Sequence, residues 1–145
     1  MDNVQRLLEL LPQQYPFRFV DKVTLYEQGS LMQATFNPVP LQPYLGRGDS
    51  LPVTVLIEGL AQVAVMLTQL ETRPLVPGEM PLLGKVQATI SDEAASDQPI
   101  CYELAPERIW QRQAVFSGHV RSVDDRLLLS ATLAVAIADK GSDSS

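Results

Sequence analysis

The sequence predicts an α+β fold, a sheet laid around one central helix, and three observations carry that prediction. From Val53 to Leu70 the chain is apolar around its whole circumference. Four strand-like segments follow this run and two precede it. Hydrophobic residues make up 46% of the 145, enough for one domain to bury its own core without a disulfide or metal.

Taken in order, Val4, Leu7, Leu8 and Leu11 recur at helical spacing, and Pro12 ends the short helix they predict. From Phe17 to Tyr26 the residues turn β-branched and aromatic, Glu27-Gln28-Gly29 reads as a turn, and Leu31 to Phe36 reads as a second strand. Between Asn37 and Pro52 stand Pro38, Pro40, Pro43 and Pro52 with Gly46 and Gly48, so this stretch is a long loop with little regular structure. Loops of that length inside a small domain are usually functional.

The central helix starts after that loop, with Asp49 or Ser50 able to cap it and Pro52 near its first turn. Leu56, Ile57, Leu60, Ala61, Val63, Ala64, Val65, Met66 and Leu67 cover every side of it, so it is expected to be buried all round. Its length reaches the lower limit of a membrane span. However, Glu58, Gln62, Thr68 and Gln69 interrupt it and no basic flank anchors it, which favours a buried helix of a soluble protein. Strands are expected at Leu82 to Ile90, Ile100 to Leu104, Arg108 to Val120 and Leu127 to Ala138. Ser91 to Asp97 is expected as a loop and Asp124-Asp125 as the last hairpin turn. Residues 1–138 are taken as one domain and 139–145 as a flexible polar tail.

Composition excludes several kinds of chemistry. Eleven Lys and Arg against seventeen Asp and Glu give a net charge of −6, which argues against a nucleic-acid surface or a polybasic membrane patch. One Cys rules out an intramolecular disulfide, and one Cys with one His cannot form a Cys/His zinc site. No cofactor is expected. The N-terminus carries Asp2 and lacks a charged-then-apolar leader, so the expected compartment is the reducing cytoplasm. Any reaction that needs an imidazole must use His119 or borrow one from another chain.

Glu58 is the sharpest single feature, a carboxylate in the first turns of an apolar helix. Burying an unpaired charge costs several kcal/mol, so the group is solvated in a cavity, paired or kept protonated. Gln62 lies one turn on and could hold it by a hydrogen bond. Two readings stand: the carboxylate points out of the end of the packing, or it is a general acid or base facing a pocket under the proline-rich loop.

Two segments resemble a known family. Leu11-Pro12-Gln13-Gln14-Tyr15-Pro16-Phe17-Arg18-Phe19-Val20-Asp21-Lys22-Val23 resembles the opening of the (3R)-hydroxyacyl-acyl-carrier-protein dehydratases, Leu-Pro-His-Arg-Tyr-Pro-Phe followed by an apolar run and Val-Asp-Arg-Val. Leu51-Pro52-Val53-Thr54-Val55-Leu56-Ile57-Glu58-Gly59-Leu60-Ala61-Gln62 is similar to their helix segment Met-Pro-Gly-Val-Leu-Ile-Ile-Glu-Ala-Leu-Ala-Gln. Leu83-Gly84-Lys85-Val86 and Phe116-Ser117-Gly118 match in style, and the likeness runs from about Leu7 to Ile137.

The resemblance implies a hotdog fold, an antiparallel sheet curved around one helix and dimerising edge to edge. It further implies active-site tunnels at the dimer interface, each using a His from one subunit's loop and a Glu or Asp from the other's helix. The substrate would be an acyl chain held as a thioester on phosphopantetheine, and water would leave across the α,β bond. On that pattern Glu58 carries over as the catalytic carboxylate. Tyr44, in Pro43-Tyr44-Leu45-Gly46, takes the place of the His in Gly-His-Phe-Pro. Val53 takes the place of the glycine whose N–H polarises the thioester carbonyl; Pro52, Tyr15, Leu45 and Gln62 fall among the expected substrate-binding residues. Lys85, Arg108 and Arg112 are the basic residues available to dock an acidic carrier protein.

An unperturbed phenol has a pKa of about 10, so Tyr44 is a poor base near neutrality; it can orient a carbonyl or a water, or simply fill the lost imidazole's space. His119 is expected on a strand away from that loop, as a solvated surface residue, and Cys101 and Trp110 as packing residues. Four functions remain in play. They are a self-sufficient but slow dehydratase, a hotdog thioesterase or isomerase using Glu58, a composite dehydratase with a His-bearing partner, and a non-catalytic acyl-binding or scaffolding protein. His-less dehydratase-like proteins of polyene and polyketide-type gene clusters resemble the third.

Overall fold

The computed structural model describes residues 2–11, 14, 17–46 and 48–139. Its elements in chain order are α1 (Asp2–Glu9), β1 (Lys22–Glu27), β2 (Leu31–Phe36), a 3-10 helix (Val39–Tyr44), α2 (Val53–Glu71), β3 (Glu79–Ile90), β4 (Ile100–Trp110), β5 (Gln113–Ser122) and β6 (Leu127–Asp139). The six strands form one antiparallel sheet in the order β1-β2-β4-β5-β6-β3.

The helix α2 lies across one face of this sheet. Twelve of its nineteen residues are buried, among them Leu56, Leu60, Met66 and Leu67, each worth about 1.5–3 kcal/mol when fully removed from water. By length and hydropathy α2 could cross a membrane, but 67% of its most apolar stretch is covered by the rest of the protein. Its floor is the row Tyr102, Leu104, Phe116, Val120, Leu129 and Leu133, all wholly buried. Gly118 lets the helix come down on β5: a methyl there would sit 2.5 Å from Leu104 Cδ1 and 3.2 Å from Leu60 Cδ2.

Three elements differ from their sequence-based expectation. The segment from Phe17 to Asp21 is not strand. Gln62 Oε1 accepts the Phe19 N–H at 2.8 Å, and Gln62 Nε2 donates to the Phe17 carbonyl at 2.9 Å, so helix side chains take the groups a ladder would use. The expected break between Leu104 and Arg108 is absent. There β4 absorbs Pro106 in a bulge and turns only at Gln111, whose φ is 56°. Neither Asp49 nor Ser50 caps α2. Pro52 holds the N-cap position without a side-chain bond, while Ser50 bridges to Ala95 and its hydroxyl donates to Glu93 Oε2 at 3.2 Å.

The sheet has two unlike edges. The β1 edge is six residues long and bulged, and Gln5 Oε1 covers the Val23 N–H at 3.3 Å. The β3 edge is twelve residues long, and only Pro81 and a bulge between Leu83 and Val86 interrupt it. Leu83, Val86, Ala88 and Ile90 pair with Val135, Leu133, Ala131 and Leu129, so they share the face that packs the core. Yet Leu83 is 43% and Ile90 57% exposed, because α2 does not reach that far across the sheet.

At the far end of α2 a charge cluster ties three elements together. Arg73 makes a two-pronged ion pair with Glu79, Nη1 to Oε1 at 3.0 Å and Nη2 to Oε2 at 2.7 Å. Arg112 Nη2 reaches Glu79 Oε1 at 3.1 Å, and the Val76 N–H donates to the same oxygen at 3.0 Å. The Arg73 guanidinium foremost, then the Val76 N–H, lower the Glu79 carboxyl to about 2. A carboxyl with a depressed folded value contributes fully above the ordinary value of 4.5 and loses its contribution as pH falls towards 2. Glu79→Gln is therefore expected to lower the Tm at pH 7, with the gap from wild type narrowing below about pH 4.5 and gone near pH 2. Thermal melts of both proteins across that range measure it; a gap that stays constant with pH would contradict the assignment.

Candidate functional site

Glu58 sits in the second turn of α2, half-buried, on the least covered side of the helix. That side runs through Thr54, Ile57, Glu58 and Val65, while Val55, Leu56, Gly59, Leu60, Val63 and Ala64 face the core. It shares this first stretch with exposed Pro52 and half-buried Val53. No side-chain bond caps the start of α2, while the Val55 N–H turns back to Pro52 O at 3.0 Å.

Tyr44 closes the 3-10 helix and is 58% exposed; Leu45 follows it, half-buried. The loop that carries them is tied down. Leu51 N–H donates to Ala94 O at 2.7 Å and Ser96 N–H to Asp49 O at 2.8 Å. Gln42 Nε2 reaches Ser96 O at 3.3 Å. The acidic segment 91–98 is thus a splint for the proline-rich loop, a use that charge and turn composition alone do not reveal.

Gln62 does not hold Glu58. It is 1% exposed, and both its hydrogen bonds go to the backbone of Phe17 and Phe19. Positions one turn apart share a face only approximately, and the buried strap at Phe17–Phe19 claims the amide. Among the basic residues, Arg112 is committed too: it donates to Thr72 Oγ1 at 3.0 Å, Arg73 O at 2.8 Å and Glu79 Oε1 at 3.1 Å. A guanidinium so occupied is not available to a docking partner. Lys85 and Arg108 remain exposed; Arg108 borders a depression of about 220 Å³ with Gly84, Trp110, Gln113 and Val115 on the sheet face away from α2. Tyr15 lies outside the described residues, as do 140–145 of the expected tail.

His119 also faces away from α2. Its cross-strand neighbours are Glu103 and Ser130, while Gly118 and Val120 on either side point into the core. The imidazole and Glu58 are therefore on opposite sides of the sheet. Cys101 is half-buried, and that burial, foremost, pushes its thiol up, which makes it a poor nucleophile. Trp110 is 65% exposed, not packed as expected. Among the described residues, no group of His, Cys, Asp and Glu side chains is arranged to hold a metal ion.

This layout of sheet, helix and helix-borne carboxylate has close counterparts. The chain is 30% identical over 144 residues to the 3-hydroxyacyl-acyl-carrier-protein dehydratase FabZ of Pectobacterium atrosepticum, covering 92% of this chain and 91% of that one. The chain belongs to the FabZ dehydratase family. No family model matches it. Among solved structures, the dehydratase heterocomplex ApeI:P from Xenorhabdus doucetiae superposes with a TM-score of 0.75 at 15% identity, over 94% of this chain and 91% of that one. A thioesterase from Haemophilus influenzae superposes with a TM-score of 0.73 at 11% identity, over 94% and 91%. The fold is the hotdog fold, shared by dehydratases and thioesterases, and the family chain described here is dehydratase-like.

Proposed function

We propose that this FabZ-family chain binds 3-hydroxyacyl thioesters on a carrier protein and supplies Glu58 to a dehydratase site completed by an imidazole from a second hotdog subunit. The observation that carries the proposal is the separation of the two groups such a site needs. Glu58 stands on the open side of α2, whereas the only His lies behind the sheet and the loop position of the family's His holds Tyr44.

In this reading the partner's imidazole takes the α-proton of the thioester while Glu58, protonated, gives its proton to the β-hydroxyl. The C–O bond breaks, water leaves, and the α,β double bond forms between the two carbons. The uncapped N-terminus of α2, with the Val53 N–H, would polarise the thioester carbonyl and so lower the cost of losing the α-proton. Pro52 and Leu45 would line the approach.

The second subunit would join at β3. Of the two sheet edges only this one is long and uncovered, and on its core-side face Leu83, Ala88 and Ile90 are exposed, with half-buried Val86 between them. Leaving those side chains in water is unfavourable. The ApeI:P heterocomplex, a dehydratase of this fold, supports a mixed pair. Of the three basic residues expected to dock an acidic carrier, Lys85, on the same strand, and Arg108 remain exposed.

The chain alone and mixed with a His-bearing FabZ dehydratase should be compared on a 3-hydroxyacyl-carrier substrate, following formation of the conjugated enoyl thioester. The chain alone is expected to give no turnover, and a co-purifying mixture to exceed the turnover of the partner alone. Equal turnover with and without this chain, or thioester hydrolysis by the chain alone, would overturn the proposal; hydrolysis would point to the thioesterase reading.

A further inference from the structure

We infer that Tyr102 is a positioning residue for Glu58, its phenol standing where the side chain of residue 59 would stand and setting how closely the Glu58 turn of α2 approaches the sheet. The role rests on the reading of Glu58 given above, but the geometry does not depend on it.

Gly59 follows Glu58 directly. A methyl group built on it would lie 2.8 Å from Tyr102 Cε1 and closer still to Cζ and Oη. The ring therefore reaches up from β4 into space that any other residue at 59 would fill. The glycine and the phenol therefore form a matched pair in this chain. Tyr102 is wholly buried, and that burial, foremost, pushes its phenol well above the usual value, so it stays a neutral donor.

The hydroxyl is used. It donates to the Phe19 carbonyl at 2.8 Å, while the Phe19 N–H goes to Gln62 Oε1 at 2.8 Å. The helical turn that begins after Glu58 is thereby pinned at both ends, at residue 59 by the ring and at residue 62 through Phe19. Phe19 is in turn held against Phe36, with ring centroids 5.8 Å apart. Tyr102 acts on the carboxylate through this backbone. The height and rotation of the helix at Glu58 depend on a side chain 44 positions later, as the numbering shows.

The test compares Tyr102→Leu, which removes the ring, with Tyr102→Phe, which keeps it and removes only the hydroxyl. Carbon-13 NMR of glutamate-labelled full-length protein follows the Glu58 carboxyl, assigned by its loss in Glu58→Gln, and turnover is measured in the mixture with a His-bearing partner. Tyr102→Leu is expected to move the Glu58 carboxyl resonance away from its wild-type position at fixed pH. It is also expected to cut kcat roughly tenfold with KM little changed, since misplacement by a fraction of an ångström costs rate before binding. Tyr102→Phe, which keeps the ring under residue 59 but frees the Phe19 carbonyl, is expected to change both readings less than Tyr102→Leu does. If Tyr102→Leu does not fold, Tyr102→Met gives the same comparison with a flexible gap-filler. A folded Leu or Met variant whose Glu58 carboxyl resonance is that of wild type would overturn the inference. Full turnover in Glu58→Gln would instead sink the functional reading, while the wild-type and Tyr102-variant resonances still decide the position of the carboxyl.

Discussion

Glu58→Gln is expected to abolish the contribution of this chain to dehydration, lowering kcat of the mixed complex by roughly 10²–10⁴-fold, the usual range for loss of a positioned general acid. That corresponds to about 3–5 kcal/mol of transition-state stabilisation. The amide keeps the size and hydrogen-bonding outline of the carboxylic acid but has no transferable proton for the departing hydroxyl. Because the residue is half-buried on the open side of α2, the swap is expected to change stability by no more than about 0.5 kcal/mol. The KM should move little, since the thioester carbonyl and acyl chain are held elsewhere. Steady-state assays of the mixture, with thermal melts as control, measure the split. A variant with wild-type kcat would leave Glu58 as a solvated helix residue and nothing more.

Gly59→Ala is expected to be among the most destabilising single-methyl changes in the protein. On propensity alone alanine would favour a helix by about 1 kcal/mol over glycine. Here the methyl meets the Tyr102 ring, which is wholly buried and boxed in by the core. Overpacking of this kind costs about 1–3 kcal/mol or more. Displacing the ring also breaks its bond to Phe19 and strands a buried carbonyl, at about 1–3 kcal/mol. The net expectation is a loss of about 2–4 kcal/mol, and with about 2–4 °C per kcal/mol for a chain of this size the Tm should fall by roughly 5–15 °C. Adding Tyr102→Leu to Gly59→Ala removes the clash and should recover part of that loss, so the double variant melts above Gly59→Ala. Equal melting of the two would show that the phenol is not what the glycine accommodates.

The opposite signs of propensity and packing at Gly59 illustrate what can be read locally. The central helix was legible because its apolar residues cover every side, and Glu58 was legible because a carboxylate interrupts that cover. The second strand, Leu31–Phe36, matched its expected bounds, its alternation being undisturbed by proline or glycine. The strand break expected before Arg108 was not found, because a bulge can carry a proline through an antiparallel strand and only the register of β5 shows that it does. The strand expected from Phe17 failed for a related reason: Gln62 and Tyr102, 43 and 83 residues beyond Phe19, take the backbone groups of Phe17 and Phe19.

The site divides in the same way. Residue type and spacing, read against the family pattern, picked out Glu58, Tyr44 and Val53 as candidates and showed that the loop holds no imidazole. They could not show that Gln62 turns into the core or that Arg112 is taken by Thr72, Arg73 and Glu79. Counting charges identifies which cations exist, whereas their availability depends on which partners the fold brings within reach.

The sequence by itself therefore determined an α+β chain built on one apolar helix, with a carboxylate near the helix start and its single His outside the proline-rich loop. Periodicity and residue chemistry act over a few positions, so they survive without knowledge of the rest. Only the tertiary structure decided that β3 is the open edge with Leu83 and Ile90 exposed, that His119 lies behind the sheet, and that Tyr102 sits under the turn following Glu58. Each of these depends on pairing between residues far apart in the chain, where register and close packing, not local preference, choose the partner.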